Sequence, residues 1–398
     1  MIAALCLAEV LTMLGVFGFP ALLPAFQDAW GLSNTQAGWV SGATFGAYAL
    51  VSPVLIALTD RVDARWVYAA GAGLAAVAAA GFALFAEGFV SALLLRALGG
   101  VGLAGTYMPG LRMMVDRIPP ESQARAVPLY TAAFSLGTAM SYFASGEIGA
   151  AFGWPWAFGI AALGAGAAVL VAVVQRPMTP QRPEGPQVRL LDFRPVLRNR
   201  PAMGYVLGYA AHMWELFAFR SWVVAFLAAS GGAAAAVSAG WPAPATVATL
   251  GALLAMAASI GGAEMATRFG RARTVMVYMV LSGAMAAWLG FAVGLPYGAL
   301  AGLTILYAGL IQLDSAALTT GAVETAQAGR RGATLAVHSL IGFLAAFLGP
   351  LALGMVLDVA GWGWAFASVA AVALLGPLAL VWGRAAPKAP LAQQPPGA

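Results

Sequence analysis

Charge, cysteine and histidine are all scarce in this sequence of 398 residues. Only 9% of the residues are charged, against about 25% in a typical soluble domain, while 61% are apolar and the mean hydropathy is +0.85. This much apolar surface cannot be buried within one water-soluble domain. The low charge with repeated apolar runs also excludes a disordered chain. The composition therefore predicts a polytopic membrane protein.

The single cysteine and the two histidines exclude several kinds of site. Cys6 has no partner for an internal disulfide, and one thiol with two imidazoles offers little for a zinc site. The sequence shows no nucleotide-binding loop, catalytic triad or cofactor motif, so we expect neither an enzyme nor a resident cofactor or metal. The net charge of +5 would suit a nucleic-acid binder only as a basic patch on a soluble domain, and we expect no such partner.

Apolar runs separated by polar loops predict twelve membrane-spanning helices. We number these as spans 1 to 12, with approximate limits 2–26, 36–58, 67–86, 89–113, 126–149, 154–175, 202–229, 243–265, 274–294, 297–322, 333–357 and 363–384. Helices are favoured over a barrel because barrel strands alternate in polarity, whereas these runs are continuously apolar. The predicted fold class is an all-α integral membrane protein.

The 20 basic residues are distributed unevenly between the two membrane sides. Each loop takes the number of the span before it. Eighteen basic residues lie in or beside the even-numbered loops or in the C-terminal tail, two (Arg96 and Arg220) lie inside spans, and the odd-numbered loops carry none. We call the two membrane sides the arginine-rich side and the arginine-poor side. By the positive-inside rule, we expect both termini to be cytoplasmic, in an inner (plasma) membrane.

A hydrophilic segment divides the spans into two sets of six. Residues 176–201 predict a cytoplasmic linker between an N-terminal bundle, 1–175, and a C-terminal bundle, 202–384, followed by a disordered cytoplasmic tail, 385–398. The segment 151–158 matches 359–366 at five of eight positions, at an offset of 208. Two pseudo-symmetric six-helix bundles, related by an axis along the membrane normal, are therefore expected.

Two spans carry small residues at every fourth position. They are Gly137, Ser141, Ser145, Gly149 and Gly153 at span 5, and Gly342, Ala346, Pro350 and Gly354 in span 11. Such stripes let helices approach closely. We expect tight packing there, with the further hypothesis that the two bundles rock along these stripes.

Several motifs resemble those of the major facilitator superfamily, over nearly the whole chain. The family's loop after helix 2 carries an acid followed by basic residues. The matching positions in the two halves are Asp60, Arg61, Arg65, Arg268 and Arg271. Asp63 and Ala64 depart from the pattern, whereas Arg96 and the glycines after it are similar to the family's helix 4 signature. The resemblance implies alternating access around a central cavity lined by spans 1, 4, 7 and 10.

Ionisable groups inside the bilayer are functional candidates because their burial is costly. Five lie deep within the spans that the resemblance places around the cavity: Glu9, Arg96, His212, Glu215 and Asp314. Four lie nearer the ends of their spans: Glu147, Arg220, Glu264 and His338. For each deep residue the alternative is an ion pair or hydrogen bond that only joins helices.

The chemistry of these side chains suggests distinct roles. The predicted substrate-binding residues are Arg96, Glu9, Tyr107, His212 and Trp214. Arg96 presents a planar fork that suits a carboxylate or phosphate of a solute, or an internal acid such as Glu9. Glu215 and Asp314 are the predicted proton carriers, and His212, three residues before Glu215, is placed to tune it.

A cytoplasmic gate is the role that the resemblance implies for the loop charges. The predicted gate residues are Asp60, Arg61, Arg65, Arg112, Asp116, Arg268 and Arg271. Arg112 and Asp116 are four residues apart and can pair on one helix face. The alternative is a set of solvated loop charges.

Together these features predict a monomeric secondary transporter that moves a small polar or anionic organic solute, coupled to protons. Its partners would be that solute, protons and membrane lipid. An uncoupled facilitator and a non-transporting sensor or scaffold remain as alternatives. Nitrate is disfavoured because nitrate porters carry arginines in helices 2 and 8, where this chain has none. A drug-exporting proton antiporter is also disfavoured, because Ser141 and Tyr142 stand where such proteins carry a Gly-Pro pair in helix 5.

Overall fold

The computed structural model describes residues 1–180 and 193–384, and all of the regular structure in these ranges is helical. Eight helices are long and apolar enough to cross a membrane. Twelve spans result when the broken span 1, the more polar spans 5 and 7, and the division between spans 11 and 12 are counted separately. The predicted tail, 385–398, and the middle of the predicted linker lie outside the described residues.

The helix bounds follow the predicted spans with local differences. The N-terminal bundle contains Ile2–Met13, Gly18–Ala21 and Leu23–Trp30 (span 1), Asn34–Leu58 (span 2), Ala64–Phe85 (span 3), Phe89–Val115 (span 4), Pro120–Phe152 (span 5) and Trp154–Val173 (span 6). The C-terminal bundle contains Arg200–Ala228 (span 7), Pro244–Phe269 (span 8), Arg271–Leu289 with the 3-10 turn Gly290–Gly294 (span 9), Tyr297–Gln312 and Ser315–Glu324 (span 10), and Arg331–Ala373 with Leu375–Arg384 (spans 11 and 12). Short helices occur at Arg194–Arg198, within the predicted linker, and at Ala233–Ser238.

The prediction of continuous helices was wrong for spans 1 and 10. In span 1 the first helix ends at Met13, and glycines and prolines follow, which weaken helical backbone and remove donors. Neighbouring spans satisfy the freed backbone groups, as when Ser141 Oγ accepts from the Phe17 N–H at 2.9 Å. In span 10 the break falls at Asp314. The short polar side chain of aspartate competes for backbone hydrogen bonds and therefore disfavours a helix interior.

The sequence repeat reappears in the backbone. Gly153 and Gly361, separated by the same 208 residues, have φ values of 90° and 75° and form the turns before spans 6 and 12. Helix crossings are repeated as well. A Cβ on Gly100 of span 4 would overlap the Thr44 carbonyl of span 2, and one on Gly262 of span 8 would overlap the Leu313 carbonyl of span 10. Both bundles thus depend on a glycine at corresponding crossings.

Candidate functional site

A glycine stripe on span 2 forms the main seam between the bundles. Gly38, Gly42 and Gly46 lie against Phe347 and Pro350 of span 11. A Cβ at Gly42 would lie 2.5 Å from the Phe347 carbonyl oxygen, and one at Gly38 would lie 2.6 Å from that of Pro350. The sequence interpretation missed this stripe, although its spacing of four residues is the same signal as in spans 5 and 11.

The two stripes that the sequence did identify lie mostly within bundles. In span 5, Gly137 packs on Met13 and Gly149 on Leu22, both of span 1. In span 11, Gly342 packs on Tyr209 of span 7, whereas Pro350 and Gly354 reach the other bundle, at Gly38 and at the Asn34 carbonyl. Rocking along the span 5 stripe is therefore not supported, because that stripe faces its own bundle.

Hydrogen bonds between the bundles are confined to the arginine-poor half of the molecule. Asp358 accepts from the Asn34 N–H at 2.9 Å, from the Thr35 N–H at 2.8 Å and from Thr35 Oγ1 at 2.6 Å. Thr246 Oγ1 donates to Glu147 at 3.2 Å, and Tyr142 donates to the Arg220 carbonyl. In residues 1–180 and 193–384, no hydrogen bond or salt bridge joins the bundles at the arginine-rich side. The bundles are thus joined at one side of the membrane.

The predicted gate charges form ion pairs, but each pair stays within one bundle. Arg112 Nε lies 2.8 Å from Asp116, and its Nη1 lies 3.5 Å from Asp60. Arg271 pairs with Glu324 at 2.7 Å. Arg268 pairs with Glu264, at 2.8 Å, and Arg65 with Asp63, at 3.2 Å. Arg61, at the same face, is exposed.

Asp63, which departs from the family pattern, ties three segments together at the arginine-rich side. Its carboxylate caps span 3 at the Arg65 N–H and accepts from Arg117 at the end of span 4, at 2.6 Å. It also accepts from the Met178 N–H at 2.8 Å, where the linker begins. Burial alone would raise the pKa of Asp63, but these donors and the charge of Arg117 hold it below the usual range.

We expect Asp63→Asn to lower the free energy of unfolding at neutral pH by about 2 kcal/mol, because the buried Arg117 loses its acid. Since the folded pKa is lowered, this stabilisation is present above the unfolded pKa of about 4 and is lost as the pH falls through the folded value. Thermal unfolding at several pH values measures it. The gap between wild type and variant should close in acid, whereas equal stability at neutral pH, as expected for the exposed Asp28→Asn control, would contradict this role.

Arg96 binds the broken backbone of span 1 and forms no ion pair with Glu9, one of the two partners that the sequence left open. Its terminal nitrogens donate to the Gly15 carbonyl at 2.8 Å and the Val16 carbonyl at 2.6 Å, and the residue is only 5% exposed. A guanidinium suits these two carbonyls because they lost their helical donors at the break. Both terminal nitrogens thus bind protein backbone, although Nε has no partner among the described residues, and this arrangement favours the alternative of a helix-joining role.

Glu9 belongs to a cluster of tyrosines in the N-terminal bundle. Tyr130 of span 5 donates to Glu9 Oε2 at 2.8 Å, and the other carboxylate oxygen has no partner among the described residues. Tyr107, which is half-buried, stacks near Tyr130 with ring centroids 6.2 Å apart. These side chains come from spans 1, 4 and 5 and offer hydroxyl groups beside one acid.

Glu215 is the centre of a polar cluster in the C-terminal bundle. It is 2% exposed, and its two oxygens accept from Ser282 of span 9 and Tyr307 of span 10, each at 3.0 Å. Hydroxyl groups can donate to a carboxylate or accept from a carboxylic acid, so they suit both protonation states. No basic side chain forms an ion pair with Glu215 in the described part of the chain.

His212 contacts Asp314 and not Glu215, which corrects the predicted tuning pair. His212 Nδ1 lies 2.7 Å from Asp314 Oδ1, although the ring N–H is not aligned for a hydrogen bond. His338, expected near a span end, is also buried. It stacks on Tyr209 with centroids 3.8 Å apart and lies 3.2 Å from Thr319 Oγ1. The described residues include no group of three or more His, Cys, Asp or Glu side chains placed to bind a metal.

Two further side chains of span 7 bear on the site, and of these Arg220 lies at the contact between the bundles, near Phe17 and Tyr142. Trp214 is half-buried, and its indole nitrogen has no partner among the described residues. Arg220, which the sequence places nearer the end of its span, is only 9% exposed. The sequence gave no signal of this burial, because the position of a residue along a span does not show how deep it lies in the bilayer or what packs against it.

The family model of the Major Facilitator Superfamily matches residues 5–313 of the sequence. Similar curated proteins include Protein spinster of Drosophila melanogaster, 21% identical over 57% of this chain and 38% of that protein. Another is the uncharacterized MFS-type transporter YwoD of Bacillus subtilis (strain 168), 31% identical over 34% of this chain and 30% of that protein. The matches thus span less than half the length of these relatives.

Solved structures share the fold over nearly the whole chain. A bacterial homolog of the human lysosomal transporter Spinster, in an inward-facing and unoccupied conformation, gives a TM-score of 0.72 at 17% identity, covering 96% of this chain and 94% of that one. The nucleoside transporter NupG gives 0.76 at 16% identity, covering 97% and 99%. The human organic anion transporter MFSD10 gives 0.67 at 17% identity, covering 95% and 98%. At these identities the likeness concerns the fold.

Proposed function

The chain belongs to the Major Facilitator Superfamily, and from this we propose that it is a secondary transporter that moves a small organic solute by alternating access. The one-sided contact between the bundles carries this proposal. Spans 2 and 11 meet at the arginine-poor side, and the charges of the arginine-rich side pair within their own bundles. A rocking motion that opened the contact at the arginine-poor side and formed one at the arginine-rich side would expose a central site to each side in turn.

We assign the arginine-rich side to the cytoplasm of a plasma membrane, with both termini and the linker, 176–201, there. The structure would then be an inward-facing state, as is the bacterial Spinster homolog that shares its fold. In this state the predicted gate residues of the two bundles lie apart. We propose that Arg112, Asp60 and Arg271 approach the opposite bundle only when the cytoplasmic side closes.

Single-cysteine labelling tests this orientation. In a Cys6→Ser background, we expect Ala328→Cys, in the exposed loop after span 10, to react with a membrane-impermeant maleimide only from the cytoplasmic side. Ala234→Cys, exposed after span 7, should react only from outside. The two variants control for each other, and reversed accessibility in intact cells and inverted vesicles would contradict the assignment.

Proton coupling is the mechanism that the buried acids of the C-terminal bundle favour. Glu215 and Asp314 are both buried, and Glu215 lacks a cationic partner in the described part of the chain. An ionised carboxylate in such a site is costly unless it binds a proton or a partner. We propose that Glu215 and the His212–Asp314 pair bind and release protons as the site faces each side in turn.

The solute would be polar or anionic and would lie between Glu9 and Tyr107 on one side and His212 and Trp214 on the other. These groups donate and accept hydrogen bonds and offer aromatic faces. Arg96 is less suited to this role than the sequence indicated, because its fork binds span 1. The transporters that share the fold carry nucleosides in one case and organic anions in another, which fits a polar organic solute.

Flux in proteoliposomes, with and without a pH gradient, tests the proposal. Solute accumulation that follows the gradient would support proton coupling. We propose that the transporting unit is a monomer. Equilibration that ignores the gradient would favour an uncoupled facilitator. No flux of any solute would favour a sensor or scaffold.

A further inference from the structure

Arg220 is a buried cation with no counter-ion in the described part of the chain. The residue is 9% exposed, and in residues 1–180 and 193–384 its guanidinium forms no hydrogen bond or salt bridge. Arginine remains protonated at any physiological pH. Taking such a charge out of water without a partner costs several kcal/mol, so its presence calls for an explanation.

The surroundings of Arg220 hold the guanidinium in place without neutralising it. Its central carbon lies 5.7 Å from the ring centroid of Phe17 and 5.8 Å from that of Phe217. These distances suit cation–π contact, which attracts a cation but adds no hydrogen-bond acceptor. Tyr142 of the other bundle donates to the Arg220 carbonyl and fixes the backbone there. The side-chain donors therefore remain available.

A cavity adjoins this guanidinium at the contact between the bundles. It has a volume of about 20 Å³ and is lined by Arg220 and Leu216 of span 7, Tyr142 of span 5, Ala248 of span 8 and Thr304 of span 10. A volume of this size holds one or two water molecules. It thus suits the head of a solute, such as a carboxylate, rather than a whole solute.

The cavity also lies close to the proposed proton site. Thr304 and Ala308, which line it, lie on either side of Tyr307, the hydroxyl donor to Glu215. Glu215 itself precedes Arg220 by five residues on the same helix, a rise of about 7.5 Å. An anion bound to Arg220 and a proton bound to Glu215 would therefore be held by the same two spans, 7 and 10, of one bundle.

We infer that Arg220 binds the anionic group of the transported solute and that this solute is an organic carboxylate. The inference rests on the proposed transport function and narrows its substrate class. The planar guanidinium binds a carboxylate through two parallel hydrogen bonds, and a carboxylate is small enough for the cavity. Tyr142, from the opposite bundle, lines the cavity in this state, in which the arginine-poor side is shut.

Ligand-dependent thermal unfolding of the purified protein tests this inference without any pH gradient. The probes are acetate and benzoate, with acetamide and benzamide as neutral analogues, at constant ionic strength. We expect at least one carboxylate to raise the melting temperature of wild type by about 3 °C, and the matching amide to have no effect. Arg220→Gln should lose that shift, and Arg220→Lys, which keeps the charge without the fork, should keep less than half of it.

The unliganded variants separate binding from a structural role. If Arg220 exists for binding, Arg220→Gln removes an unpaired buried charge and should melt at or above the wild-type temperature. Arg273→Gln, at an exposed arginine near the start of span 9, is the control and should keep the carboxylate shift. An Arg220→Gln protein that is clearly less stable, or that keeps the carboxylate shift, would overturn the inference.

The remaining outcomes are also decisive. Stabilisation by chloride alone, removed in Arg220→Gln, would overturn the assignment of an organic carboxylate. Equal shifts with amide and carboxylate would overturn an anion site altogether. Carboxylate binding in a protein whose flux ignores a pH gradient would support Arg220 while refuting proton coupling, so the two proposals fail separately.

Discussion

Glu215→Gln should abolish solute accumulation driven by a pH gradient while solute exchange at equilibrium continues. Glutamine keeps the size and one acceptor of the buried acid, so Ser282 and Tyr307 retain a partner, but it cannot bind or release a proton. Accumulation needs a proton to cross with each solute, whereas exchange needs only the binding and rocking steps. We expect Asp314→Asn to have the same effect if the His212–Asp314 pair carries the proton.

The measurement is uptake of radiolabelled solute into proteoliposomes with an imposed pH gradient, beside counterflow without one. Glu87→Gln, a matched change at an exposed acid in the loop before span 4, should transport as wild type does. His212→Gln should shift the pH optimum. If both acid variants still concentrate solute on a pH gradient, the proton site lies elsewhere, with Glu9 as the next candidate.

Gly42→Leu should prevent the bundles from closing at the arginine-poor side and reduce transport at least about tenfold, a barrier change of only about 1.4 kcal/mol. Even a Cβ at this position would lie 2.5 Å from the Phe347 carbonyl oxygen and 3.0 Å from its ring. Backbone cannot rotate away as a side chain can, so spans 2 and 11 must separate. We expect the state closed at the arginine-rich side to lack this contact and to become the dominant one.

Distances between spin labels measure this shift of state. One pair, at the exposed residues Ala29 and Val359, reports the arginine-poor side, and another, at Val62 and Gln327, reports the arginine-rich side. In Gly42→Leu the first distance should lengthen and the second shorten. Gly166→Leu, in span 6 where a Cβ would have no atom within 4 Å, should leave both unchanged. An unchanged pair in Gly42→Leu would show that this seam does not control closure.

The helical class, the two halves and the family were accessible from the sequence because they depend on long apolar runs and repeated turns. Gly153 and Gly361 illustrate this, since their shared offset in sequence became a shared positive φ. The broken spans 1 and 10 were not accessible, because runs such as 2–26 are apolar almost throughout. What satisfies their backbone, such as Arg96 at Gly15 and Val16, comes from distant parts of the chain.

The candidate site was predicted in composition more than in arrangement. The deep acids were identified because burying an ionisable group in an apolar span costs free energy, so that such residues are rare there. Their partners were not, because spacing along one helix favoured His212 with Glu215, whereas the fold brings Asp314 from span 10 to His212. Arg220 was expected at a span end within reach of the membrane surface, although the bundle contact buries it.

The most direct test of the central claim is proton movement driven by the solute itself. Liposomes that contain wild-type protein and an internal pH indicator would receive an outward or inward solute gradient, with protein-free liposomes as the control for passive permeation. The account predicts a pH change whose sign reverses with the gradient and which Glu215→Gln removes. Solute flux that leaves the internal pH at the level of the protein-free control would contradict it.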